Sequence, residues 1–260
     1  MRGLPSLIGM VHLPALPGAP GHAGDLPGIV DRARGEARLL AAAGFDGIMV
    51  ENFGDAPFFA DDVPKLTVAA MARVVGAVVE EVEVPVGVNV LRNDALASLA
   101  VAAATGASFV RVNVLGGLMI TDQGPIVGRA AEVVRFRDAR APGVRILADV
   151  FVKHAVPPPG LTIDQAARDL AERAAADALV VSGTGTGAAT APDDLRVVRA
   201  TTTLPVLVGS GATEDTIAEL LARSDGVIVG SALKEGGVAS APLDPERVRR
   251  VAAAAGRTSR

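Results

Sequence analysis

The strongest constraint on the fold is a regular alternation. Short apolar runs rich in Val and Ile recur eight times, with longer segments of helical period between them. The runs begin near Leu7 (LIGMVH), Asp46 (DGIMVE), Val86 (VGVNV), Phe109 (FVRVNV), Arg145 (RILADV), Ala178 (ALVVS), Pro205 (PVLVG) and Gly226 (GVIVG). Each is almost continuously apolar, as a strand covered on both faces must be. Strand and helix alternating in this way give a parallel α/β architecture. Eight such units in 260 residues match one closed (β/α)8 TIM barrel. No Gly-x-Gly-x-x-Gly opens a first strand-to-helix turn, which argues against an open dinucleotide-binding sheet. No linker or composition break appears, so residues 1–260 are expected to form a single barrel domain.

The helices carry recognisable ends. Residues 29–43 stop at Gly44 and residues 94–105 stop at Gly106. Further helices are expected to open at Thr162, running to about Ala176, and at Thr213 and Asp244. A weak echo places Asp46, Asp177 and Asp225 each just before a β-branched run. Two segments exceed what barrel turns need. Residues 52–64 carry Phe53, Phe58 and Phe59, and suit a lid over the site or a packed loop. Residues 153–161 contain three consecutive prolines.

Composition excludes several functions. The absence of Cys removes disulfides, thiolate metal sites and cysteine nucleophiles, and fits a cytoplasmic setting. A net charge of −4 with 3% aromatic residues gives no footprint for nucleic acid. No apolar run is long enough for an integral membrane segment. Homo-oligomerisation is a general expectation for barrels, with no sequence feature of its own.

In a barrel, the C-terminal ends of the strands face the substrate. Polar residues close the apolar runs at that end. They are His12, Glu51, Asn52, Asn89, Arg111 and Asn113 in the first half, and Asp149, Lys153, His154 and Ser182 in the second. After the seventh and eighth strands come Gly209-Ser210-Gly211 and Gly230-Ser231. Glycines let the backbone approach an anion, and amide N–H groups at these two turns are a frequent phosphate cradle in barrels. Ser182 also opens a Gly-rich loop, Ser182-Gly183-Thr184-Gly185-Thr186-Gly187, which suits a donor loop or a simple turn.

Asp149, Lys153 and His154 form the most reactive cluster. A carboxylate at a strand end serves as base or metal ligand. A desolvated Lys stabilises an oxyanion, binds phosphate or forms an imine, and His titrates near neutrality. Glu51 and His12 complete the expected catalytic set. Asn52, Asn89, Arg111, Asn113, Ser182, Gly209, Ser210, Gly211, Gly230 and Ser231 are the expected substrate contacts. Arg111 reads equally well as an ion-pair partner of Glu51 or Asp149. Asp122-Gln123-Gly124 reads best as a cap of the following helix, with a reach into the site as the alternative. No cofactor is expected. His12, Glu51, Asp149 and His154 leave a divalent metal open as a minor alternative.

Long blocks of the chain resemble a known family. Gly9-Met10-Val11-His12-Leu13-Pro14-Ala15-Leu16-Pro17-Gly18 is similar to the opening motif of the BtpA/SgcQ family. Glu51-Asn52-Phe53-Gly54-Asp55-Ala56-Pro57-Phe58, Arg111-Val112-Asn113, Thr121-Asp122-Gln123-Gly124 and Asp149-Val150-Phe151-Val152-Lys153-His154-Ala155 resemble its other blocks. The resemblance implies a barrel related to phosphate-binding ones. It also brings a label, photosystem I biogenesis, attached to cyanobacterial members, while members outside photosynthetic organisms imply a metabolic ancestral role.

The expected function is therefore an enzyme acting on a small phosphorylated metabolite, a sugar phosphate or nucleoside-derived sugar. Its chemistry would be proton transfer, as in an isomerase, epimerase, aldolase or lyase. One alternative is a non-enzymatic assembly or stability factor for a membrane complex such as photosystem I. Another is a hydrolase or glycosidase using Glu51 and Asp149 as paired carboxylates.

Overall fold

The computed structural model describes residues 3–183 and 190–258. Eight parallel strands close into a barrel. In chain order they are β1 (Leu7–His12), β2 (Gly47–Glu51), β3 (Val86–Asn89), β4 (Phe109–Val112), β7 (Arg145–Asp149), β9 (Ala178–Val181), β10 (Val206–Val208) and β11 (Gly226–Val229). The ring runs β1-β11-β10-β9-β7-β4-β3-β2, with β1 also paired to β2. The eight strands coincide with the eight apolar runs. The fold is the TIM barrel that the sequence predicts.

Helices α1 (Leu26–Ala42), α2 (Lys65–Glu81), α3 (Ala95–Thr105), α4 (Ala130–Arg140), α5 (Ile163–Glu172), α6 (Pro192–Thr201), α7 (Ile217–Arg223) and α8 (Pro245–Ala254) surround the strands. Asp94 and Asp244 cap as their residue type dictates, whereas Thr162 precedes α5 with no side-chain cap bond. Asp94 accepts from the Ala97 N–H at 2.8 Å, and Gly106 ends α3 in the left-handed region at φ 82°. Asp244 likewise caps α8. Two expected boundaries move. α7 opens at Ile217, because Thr213 and Thr216 instead form a side-chain-bonded turn. α5 ends at Glu172, short of Ala176.

A second sheet was not foreseen. β5 (Leu118–Thr121), β6 (Gly124–Val127) and β8 (Ala155–Val156) pair antiparallel in the order β6-β5-β8. Its inner face buries Met119 and Ile126 against Val114 and Val152. Its outer face leaves Ile120, Val127 and Val156 46%, 62% and 65% exposed. The hairpin corrects the expectation that Asp122 caps the following helix. It lies in the β5–β6 turn, and α4 is preceded by Arg129 with no side-chain cap.

Side-chain parity sets the barrel interior. A core of Ile8, Met10, Met49, Phe109, Leu147, Ala178, Val180, Leu207 and Ile228 fills the lumen. Gly87 makes room for it, since a Cβ there would lie 2.1 Å from the Phe109 ring. Two residues further along each strand the side chain points the same way. Two on from Met10, Met49, Gly87, Phe109, Leu147, Val180, Leu207 and Ile228 stand His12, Glu51, Asn89, Arg111, Asp149, Ser182, Gly209 and Gly230. One apolar layer thus carries one polar layer above it.

The Asp echo belongs to the opposite rim. Asp46 Oδ1 accepts from the Leu7 N–H at 2.6 Å, Asp177 Oδ2 from Ile146 at 2.8 Å and Asp225 Oδ2 from Val206 at 2.9 Å. Each satisfies an N–H in the first two residues of a neighbouring strand, and each pairs with an Arg: Arg257, Arg137 and Arg199. Among the described residues, no helix is long and apolar enough to cross a membrane.

Candidate active site

The polar layer is densely bonded. Arg111 grips Asp149 with two nitrogens: Nε donates to Oδ1 at 3.0 Å and Nη2 to Oδ2 at 3.2 Å. Asn113 Nδ2 donates to the same Oδ2 at 2.7 Å. The Asp149 side chain is fully buried, so both its oxygens are committed to these partners. Arg111 Nη2 also donates to Ser182 Oγ at 3.2 Å. Gly209 admits this cluster, because a Cβ there would lie 2.5 Å from Ser182 Oγ and 3.0 Å from Arg111 Nη2.

The second cluster lies on β1 to β3. Asn89 Nδ2 donates to Glu51 Oε2 at 2.6 Å, and His12 Nε2 stands 3.7 Å from Glu51 Oε1. The His12 ring stacks on Phe53 with centroids 4.6 Å apart. Burial pulls the His12 pKa below its ordinary value despite the Glu51 carboxylate, which acts the other way.

Between the clusters lies a cavity of about 300 Å³. Glu51, Asn89, Arg111, Asn113, Lys153 and His154 line it, together with Phe53, Phe58, Leu91, Arg92 and Asp122. Lys153 is its distinctive group. Its ammonium makes no hydrogen bond or ion pair among the described residues. Burial lowers its pKa first, and the Arg111 charge pushes the same way, against Glu51 and Asp149. His154 is exposed at the cavity edge, with its backbone held at φ 58°. A non-glycine residue in that region stores local strain, a frequent mark of functional positions. Burial and the Lys153 charge lower its pKa.

The other expected residues divide. Asn52 is 1% exposed and its amide is spent on Asp55 Oδ2 and on the backbone of Leu91, so it braces two loops outside the cavity. Ser210 Oγ accepts from the Gly183 N–H at 2.7 Å. Gly230 packs on the His12 ring, where a Cβ would lie 3.2 Å from Cε1. Gly211 and Ser231 line a separate cavity of about 410 Å³ with Arg247 and Arg250. Residues 184–187 of the Gly-rich loop lie outside the described residues.

Sequence reasoning missed Arg92. Its Nη1 donates to Asn113 Oδ1 at 3.2 Å and its Nη2 to the Lys153 carbonyl at 2.5 Å, so it braces the lysine's backbone. A cation just past the third apolar run was the only available signal. The expected aromatic segment does contribute, through Phe53 and Phe58, while Phe59 points outward. Among the described residues, no three His, Asp or Glu side chains converge as metal ligands. The set of His12, Glu51, Asp149 and His154 is divided by the Arg111–Asp149 pairing, which does not fit the divalent-metal alternative.

The fold recurs in solved enzyme structures. Tryptophan synthase from Mycobacterium tuberculosis superposes with a TM-score of 0.61 at 21% identity, covering 96% of this chain and 92% of that one. Thiamine phosphate pyrophosphorylase from Pyrococcus furiosus gives 0.59 at 16% identity, with 96% and 95% covered. At these identities the likeness concerns the barrel alone. Sequence relatives are much nearer. Photosystem I biogenesis protein BtpA of Synechocystis sp. is 46% identical over 243 residues, 93% of this chain and 85% of that protein. An uncharacterized Thermococcus kodakarensis protein is 44% identical, with 94% and 93% covered. An uncharacterized mitochondrial protein of Caenorhabditis elegans is 31% identical, with 94% and 90% covered. A family model described as BtpA family matches residues 4–257, and the chain belongs to that family.

Proposed function

We propose that this barrel is an enzyme that acts on a small phosphorylated, carbonyl-bearing metabolite by proton-transfer chemistry of the isomerase, epimerase or aldolase-lyase kind. One observation carries the reading. A desolvated lysine without a bonded partner among the described residues faces a carboxylate and a buried arginine in one cavity at the C-terminal end of the barrel. Such a lysine is a better acid, and a better amine nucleophile near neutral pH, than an ordinary one. Glu51 is the favoured base, because Asp149 is fully engaged by Arg111 and Asn113. Asp149 then acts by holding Arg111. Lys153 and His154 stabilise developing oxyanion charge or supply the proton.

The phosphate is assigned to the turns after β10 and β11. Gly211 and Ser231 open into a cavity that Arg247 and Arg250 also line. Solved barrels of similar fold carry phosphorylated compounds in their names, which suits this assignment. The same engagement of Asp149 argues against a glycosidase, which needs two available carboxylates.

A thermal-shift screen of sugar phosphates tests the reading, since a ligand raises the melting temperature by its affinity and concentration. The expected result is a hit whose shift disappears in Lys153→Met. Absence of any hit across aldose and ketose phosphates, with the protein folded, would count against it. The second reading, an assembly factor, draws on the name of the Synechocystis relative and on the exposed aliphatic face of Ile120, Val127 and Val156. It predicts that charged residues on that face abolish function, while Lys153→Met is harmless.

A further inference from the structure

The segment after β11 is clipped to α1 by a buried ion pair. Lys234 is wholly buried, and its Nζ donates to Glu36 Oε2 at 3.0 Å. Glu36 Oε1 accepts from the Leu243 N–H at 3.2 Å and from Arg32 Nε at 3.0 Å. Lys234 and Leu243 face each other in an antiparallel bridge. Glu235 N–H donates to the Pro242 carbonyl at 3.0 Å, and Asp244 N–H to Leu233 at 2.9 Å. One glutamate of α1 therefore holds both feet of loop 235–242.

The tip of that loop reaches the candidate active site. The Ala239 carbonyl lies 2.8 Å from His12 Nδ1. A carbonyl only accepts, so Nδ1 carries a proton. Phe53 stacks on the ring and Gly230 abuts its Cε1, which fixes the ring plane. Nε2 is thereby aimed at Glu51 Oε1, at 3.7 Å, which is longer than a hydrogen bond. A protonated Nε2 would close that distance onto the carboxylate. The charges facing His12 are Glu51 on β2, Lys153 after β7 and Lys234 after β11. Both lysines disfavour the imidazolium, and burial outweighs Glu51. Asn89 holds the other oxygen of Glu51 at 2.6 Å. Two acceptors thus converge, spaced so that two hydroxyl groups on adjacent carbons can each donate to one of them.

We propose that His12 Nε2 and Glu51 Oε1 form a pair of acceptors for two adjacent hydroxyl groups of the substrate, one donating to each, and that Glu36 and Lys234 are positioning residues that hold His12 in its Nδ1–H form through loop 235–242. The proposal rests on reading this cavity as the reaction site. It narrows the substrate to a hydroxylated, sugar-like compound, as distinct from a simple keto acid.

Nitrogen-15 NMR of the histidine rings tests it on the whole protein without any turnover. Only His12, His22 and His154 contribute, and His12→Asn identifies the signal. The expected spectrum at pH 7 shows His12 protonated at Nδ1 alone. Glu36→Gln combined with Lys234→Met removes both buried charges together, so the fold is kept. In that variant the His12 signals should move to an average of the two tautomers. Glycerol at high concentration, a hydroxyl probe without phosphate, should shift Nε2 in the wild type and not in Glu51→Gln. An Nε2–H or imidazolium form at pH 7, an unchanged His12 in the double variant, or no glycerol response would overturn the proposal. Because no phosphorylated ligand is used, these results stand apart from failure of the sugar phosphate screen.

Discussion

The two rims of the barrel use carboxylates in opposite ways. At the N-terminal rim, Asp46, Asp177 and Asp225 each accept a backbone N–H and pair with a partly exposed arginine. Each of these three carboxylates has a structural task. At the C-terminal rim, Asp149 is buried and locked to Arg111, while Glu51 keeps one oxygen turned toward His12 and Lys153 has no bonded partner among the described residues. One rim is arranged for stability. The other holds charge that folding alone would not select, and barrels place their chemistry at that end.

The largest break in this contrast is at Asp149. Asp149→Ala leaves the buried Arg111 guanidinium uncompensated, which costs about 3–5 kcal/mol by urea denaturation. At the other rim, Asp177→Ala strips the acceptor from the Ile146 N–H. Its ion pair with Arg137 is partly exposed and adds little. The expected loss is about 1–2 kcal/mol, with no effect on ligand binding.

Lys153→Met sharpens the comparison by its sign. The folded pKa of Lys153 lies below the ordinary 10.5, so the unfolded chain binds more protons just below that value. Stability is therefore diminished at neutral pH and recovers as pH rises toward 10.5. Replacing the amine should raise the melting temperature by roughly 2–4 °C per kcal/mol recovered, while ligand binding is lost. A lysine kept only for structure would give the reverse.

The smallest effect concerns His12. Its folded pKa lies below 6.5, so the unfolded state binds more protons as the pH falls through that value. Stability should decline from pH 7 toward the folded pKa and then level off for this group. His12→Asn should flatten that part of the curve measured by denaturant titration.

Much of this was legible in the residues. Eight apolar runs gave eight barrel strands, and the period of two carried His12, Glu51, Asn89, Arg111 and Asp149 from the lumen layer to the rim. The hairpin at Leu118–Val127 was hidden because its strands have four residues each, contain Pro125, and pair with the distant Ala155–Val156. That hairpin is what brings Asp122 to the cavity edge. The ranking of Glu51 over Asp149 was hidden too. It depends on β4 and β7 being barrel neighbours, so that Arg111 reaches across to Asp149, a relation that pairing creates and local pattern does not. Arg92 belongs to no periodic run and shows its role only through Asn113 and the Lys153 carbonyl.

The proposed function turns on Lys153 as an available amine inside an anion-friendly cavity. The chain has three lysines: Lys65 exposed at the start of α2, Lys234 wholly buried, and Lys153. Brief treatment with pyridoxal phosphate, then borohydride and peptide mass spectrometry, reads all three at once. The expected result is an adduct on Lys153 well ahead of Lys65, suppressed by an excess of any sugar phosphate found in the thermal-shift screen. Labelling confined to Lys65, with Lys153 unmodified in folded protein, would contradict it.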